Sequence, residues 1–108
     1  MDTFTVRDLR ERTGALIRDA ESGKLSVITK HGKPVFVALP FDDLLIREGV
    51  TVALAVHLYQ QVEISLGKAA KLADMTRQQF MQLLAEQRIP VASAKPGELA
   101  DELAGFAQ

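Results

Sequence analysis

The sequence predicts an α+β protein, with a β-α-β-β unit over residues 1–49 followed by an all-α helix-turn-helix unit over residues 50–108. Three observations predict it. Two strand-like runs, Leu25 to Lys30 and Val35 to Leu39, flank a His31-Gly32 turn. Ahead of them, Leu9, Thr13, Leu16, Ile17 and Ala20 recur at helical spacing. Beyond Gly49 the chain turns to helix formers, with the capping pattern Thr76-Arg77-Gln78-Gln79 among them.

Taken in order, Thr3 to Val6 reads as a short strand. Thr5-Val6-Arg7-Asp8 then fits a capping box: the threonine oxygen takes an early helix N–H and the acid reaches back. One helix follows, its inner face running from Leu9 to Ala20, and Ser22-Gly23 ends it. Val27, Ile28 and Thr29 make the next strand. His31-Gly32 supplies a tight turn, because glycine accepts positive φ and histidine tolerates it better than most residues. Val35 to Leu39 reads as an apolar strand covered on both faces. Pro40 stops it, Phe41 to Arg47 opens a short helix, and Gly49 marks the boundary.

In the second half, Thr51 to Gln61 places Val52, Val56 and Tyr59 on one stripe. Ser65 to Ala73 and Thr76 to Gln87 form two more helices, with Asp74 in the left-handed turn position where glycine would be usual. Ile89-Pro90-Val91 is a short extended connector. Lys95-Pro96-Gly97 breaks the chain before an amphipathic helix from Glu98 to Phe106, apolar along Leu99, Leu103 and Phe106.

Composition narrows the function classes. The 108 residues are 47% hydrophobic and 25% charged, with no Cys, no Trp and one Tyr. The core is therefore aliphatic, and a chain of this size gains from oligomerisation. Absence of Cys removes disulfides, thiolate metal sites and cysteine nucleophiles, and fits a reducing cytoplasm. No run approaches the roughly 20 apolar residues of a membrane span, and the acidic start Met1-Asp2-Thr3 is unlike a signal peptide. No motif for a cofactor or a metal is present. Two histidines, His31 in a turn and His57 in a helix, with no P-loop, HExxH or serine elbow, argue against an enzyme. Net charge is −1, but its distribution is uneven. Residues 1–33 carry seven basic against five acidic side chains, whereas beyond Lys95 the only charges are Glu98, Asp101 and Glu102. A basic front and an acidic tail point to different partners for the two ends.

Residues 4–45 resemble the prevent-host-death (Phd/YefM) antitoxin family. The resemblance rests on Thr5-Val6-Arg7-Asp8-Leu9-Arg10, Gly14, Leu16-Ile17 and the hairpin run Val27-Ile28-Thr29-Lys30-His31-Gly32-Lys33-Pro34-Val35. It implies a symmetric dimer whose paired N-terminal parts bind a palindromic operator, and a toxin partner encoded next door. Arg10 lies near a helix start, and Lys30, His31 and Lys33 crowd the hairpin tip. Arginine gives bidentate contacts to guanine or phosphate, and lysine point-charge contacts to phosphate. Lys30 and His31 stand where basic residues, often Arg, are usual, which weakens base reading there but not phosphate binding. Arg7, Arg12 and Arg18 read as solvated or paired with nearby acids.

A typical member continues into a tail that wraps its toxin; this chain departs from that. Residues 51–92 resemble a small helix-turn-helix family of poorly defined function, often encoded beside PIN-domain ribonuclease toxins. Ile64-Ser65-Leu66-Gly67-Lys68-Ala69-Ala70 is the most specific run. Arg77 and Gln78 would open the recognition helix, with Gln82 one turn later, and can pair with guanine and adenine; packing or protein docking is the competing role. The acidic tail through Leu99, Leu103 and Phe106 either folds back on its own domain or fills a groove in the toxin. The expectation is thus a cytoplasmic antitoxin, dimeric or tetrameric, that represses its own operon and silences a toxin, with a PIN-domain ribonuclease favoured. A regulator without a toxin is the alternative.

Overall fold

The computed structural model describes residues 2–91; Leu99, Leu103 and Phe106 lie outside them. The chain is α+β, with elements in the order β1 (Asp2–Thr5), α1 (Asp8–Glu11), α2 (Thr13–Glu21), β2 (Ser26–Lys30), β3 (Lys33–Ala38), α3 (Asp43–Glu48), α4 (Val50–Gln60), α5 (Leu66–Leu72) and α6 (Arg77–Glu86). It divides into two compact units, residues 1–47 and 48–108.

Unit 1 is built on a three-stranded sheet in the order β1-β2-β3, parallel between β1 and β2 and antiparallel between β2 and β3. The expected single helix is broken. Arg12 leaves helical geometry (φ −123°, ψ 30°), separating α1 from α2. The Thr13 hydroxyl donates to the Leu9 carbonyl, a back-bond that bends helices. Beyond the break, the Arg12 guanidinium lies over the Phe4 ring, 4.9 Å from its centroid. Gly23, at φ 84°, closes α2: the Gly23 N–H donates to the Ala20 carbonyl and the Lys24 N–H to the Asp19 carbonyl.

The register aligns Phe4, Ile28 and Phe36 on one sheet face. Along that row exposure rises from 1% at Phe4 and 0% at Ile28 to 51% at Phe36. Helices α1 and α2 pack beside β1 and β2, and β3 is left as an edge. This corrects the reading of Val35 to Leu39 as a strand covered on both faces: Val35, Phe36 and Val37 are all exposed, because the covering helices stop short of β3. Thr13 and Ile17, placed on the inner face of the helix by spacing, are exposed too.

Unit 2 is helical and closes a core of its own. Ala53, Val56 and Tyr59 of α4, Ala69 and Ala70 of α5, and Phe80, Leu83 and Leu84 of α6 are buried. Tyr59 meets Phe80 edge to face, centroids 6.1 Å apart, and donates its hydroxyl to the Val91 carbonyl at 2.8 Å. Small Ala69 and Ala70 allow α4 and α6 to approach α5 closely. Ser65 caps α5, and a full capping box between Thr76 and Gln79 starts α6. Asp74 holds the turn between α5 and α6 at φ 58°. Helices α4, α5 and α6 all end in the paired carbonyl cap that Gly23 provides for α2, here with Val62, Asp74 and Arg88 in the left-handed position.

Candidate nucleic-acid interface

The β2–β3 turn is the cationic tip of unit 1. His31 (φ 52°) and Gly32 (φ 77°) are both left-handed, as a two-residue type I′ hairpin turn requires. The turn places Lys30 directly opposite Lys33. Like charges facing each other across a ladder oppose pairing. A bulge between Ile28 and Thr29 interrupts the register just before the tip, where it raises the local twist. Lys30, His31 and Lys33 are all exposed.

The start of α1 lies beside this tip. The Val6 N–H donates to the Thr29 carbonyl at 2.9 Å, continuing the β1–β2 pairing up to the foot of the helix. The expected capping box is present: the Asp8 N–H donates to the Thr5 hydroxyl oxygen (3.0 Å) and the Thr5 N–H to the Asp8 carboxylate (2.9 Å). That backbone N–H, with Arg12 and Arg7 nearby, holds the Asp8 carboxyl below its usual range. Arg7 and Arg12 each pair with an acid four residues away, Arg7 with Glu11 (3.7 Å) and Arg12 with Asp8 (3.8 Å). Arg10, on the same short turn, is exposed and takes part in neither pair.

Between the helix start and the tip is a cleft of about 270 Å³ lined by Thr5, Val6, Arg7, Thr29, Lys30 and His31. The structure thus brings Lys30, His31 and Lys33 together and adds Arg7. Sequence reading missed Arg7 as a neighbour of the tip; it read that side chain as solvated or paired with a nearby acid, and the pair with Glu11 is present. The signal was the β1 register, since the last pairing along β1 fixes which residue emerges beside the hairpin.

In unit 2, Gln78 is exposed in the first turn of α6. Arg77 is half-buried, with its Nε shielded from solvent. The Gln79 side chain is spent on the capping box, accepting from the Thr76 N–H at 2.9 Å. Among the described residues there is no group of three or more His, Asp or Glu placed to hold a metal ion. No described helix is long and apolar enough to cross a membrane.

Residues 1–58 match the family Antitoxin Phd_YefM, type II toxin-antitoxin system, and residues 34–108 match the Uncharacterised protein family UPF0175. The two matches overlap from β3 into α4. Searches of curated proteins and of solved structures returned no match. Each family match spans more than half of the chain, so the protein belongs to the Phd_YefM antitoxins of type II toxin–antitoxin systems and, through its second half, to the UPF0175 family.

Proposed function

We propose that this chain is a cytoplasmic antitoxin that binds operator DNA as a homodimer through unit 1, represses its own operon and neutralises a toxin, a PIN-domain ribonuclease being favoured. The observation that carries the reading is the pairing, within one small unit, of an exposed cationic tip with an exposed apolar edge. Lys30, His31 and Lys33 supply phosphate contacts, and the exposed Arg10 of α1 supplies the fork that can read guanine or grip phosphate. Val35, Phe36 and Val37 supply the surface for a second copy. Two copies related by a two-fold axis present two tips to neighbouring half-sites, which makes the operator palindromic. Arg77 and Gln78 are a second, lesser pair of DNA contacts, with Arg77 the weaker for its partial burial. Leu99, Leu103 and Phe106 provide the apolar stripe for the toxin.

The test is to measure mass in solution and binding to the chain's own upstream DNA for the wild type and Phe36→Asp. A charge at the apolar edge opposes pairing. The expected result is a wild-type dimer with a sequence-specific shift. The variant is expected to be monomeric and to bind about 1,000-fold more weakly, since it loses one whole half-site. A wild-type monomer, or a variant that binds as tightly as the wild type, overturns the reading.

A further inference from the structure

We infer that the groove along α6 docks a cationic segment of the toxin carrying an apolar anchor, and that it is closed to DNA. The inference rests on the reading of the chain as an antitoxin. The groove lies wholly within unit 2 and has a volume of about 390 Å³. Glu48, Asp74 and Glu86 rim it, Met75 and Leu83 give it an apolar floor, and Gln79 and Gln82 complete the wall. Among the described residues no Lys, Arg or His lines it, and the cations Lys68, Lys71, Arg77 and Arg88 lie elsewhere.

A duplex touching Arg77 and Gln78 at the start of α6 would have to run one turn further, to Gln82, to enter this groove. Phosphate neutralisation supplies most of the affinity for DNA. A duplex on this face would meet three carboxylates and no compensating cation. The same rim attracts an Arg- or Lys-bearing segment, and the floor selects one with a Leu- or Met-like side chain beside the charge. Neither segment of this chain fits. The hairpin tip Lys30-His31-Gly32-Lys33 and its apolar edge are the surfaces given above to DNA and to a second copy, and Glu98, Asp101 and Glu102 near the C-terminus share the sign of the rim. A toxin that cleaves RNA must itself hold a phosphate backbone, so its surface is the complementary one.

The experiment uses the full chain and its Glu48→Gln/Glu86→Gln variant. The amides of isotope-labelled protein are followed against a helical peptide of Arg and Leu at three- and four-residue spacing, its charge-reversed Glu counterpart, and duplex DNA. The Arg–Leu peptide is expected to shift the signals of Gln79, Gln82 and Glu86, and the other two probes are not. In the variant, affinity for the peptide and for the co-expressed toxin falls about tenfold or more, while operator binding is unchanged. Equal capture of the toxin by both proteins overturns the groove assignment and leaves the antitoxin reading standing. Capture by neither overturns both. Shifts of the Gln82 and Glu86 signals by duplex DNA, or a change in the variant's own self-association, overturn the choice of occupant.

Discussion

Among its described residues, unit 1 leaves seven large hydrophobic side chains exposed: Val6, Ile17, Val35, Phe36, Val37, Phe41 and Ile46. Unit 2 leaves Val50 and Leu72 among its described residues. The contrast follows from architecture. A three-stranded sheet with helices over only two strands cannot close its own core, whereas three helices around Tyr59 and Phe80 can. Unit 1 leaves the apolar side chains of β3 open, and unit 2 covers most of its own. Their charges differ in the same way: unit 1 gathers cations at a hairpin tip, and unit 2 gathers carboxylates around a groove. One protein thus carries a face suited to a polyanion and another suited to a polycation.

The largest effect that sharpens this comparison is expected at Phe80. Phe80→Ala removes the partner of the Tyr59 ring and should cost unit 2 about 3–5 kcal/mol. Tyr59 is the chain's single tyrosine, so near-ultraviolet circular dichroism at the tyrosine band reports unit 2 alone. The tyrosine signal should be lost at a lower temperature than in the wild type, while the operator shift persists above that temperature. Loss of both together would show that unit 1 depends on unit 2.

A smaller effect is expected at the tip. Lys30→Ala and Lys33→Ala should each weaken binding to all duplexes alike. Each should also reduce the slope of log affinity against log salt by about 1 for every phosphate left without its lysine. In a dimer each substitution acts at both tips. An unchanged slope would place the tip away from the DNA.

The smallest effect concerns the cap that starts α1. Asp8 titrates below its ordinary value of 3.8 because the folded chain hydrogen-bonds its ionised form. Its contribution to stability is therefore complete above pH 3.8 and is lost as pH falls through the lower, folded value. Asp8→Asn should flatten that acid step, read as the pH dependence of amide protection at Ile28. Parallel curves for the two proteins would remove the cap from the account.

Much of this was legible in the sequence because local chemistry decided it. His31-Gly32 fixed the hairpin turn, Thr5 with Asp8 and Thr76 with Gln79 announced two helix starts, and Gly23 and Asp74 announced two helix ends. Val62 and Arg88 were not legible as left-handed caps. A β-branched or long side chain carries no signal for that geometry, and the packing of the helices imposes it. The break at Arg12 was hidden for a related reason, since the apolar spacing continues across it and only the Thr13 back-bond departs. The openness of β3 was hidden most deeply. An apolar run reads as covered, but its cover in this chain is absent from the unit itself. At the site, residue types pointed to the hairpin tip, while the nearness of Arg7 depended on strand register.

In the proposed function, DNA is held chiefly by unit 1 rather than by the helix-turn-helix of unit 2. Parallel titrations of Arg10→Ala and Arg77→Ala against the upstream DNA test it most directly. The account predicts that Arg10→Ala loses about 1–3 kcal/mol of specific affinity, while Arg77→Ala stays within about twofold of the wild type, equivalent to roughly 0.4 kcal/mol. The reverse order, with Arg77→Ala abolishing the shift and Arg10→Ala leaving it intact, would contradict it.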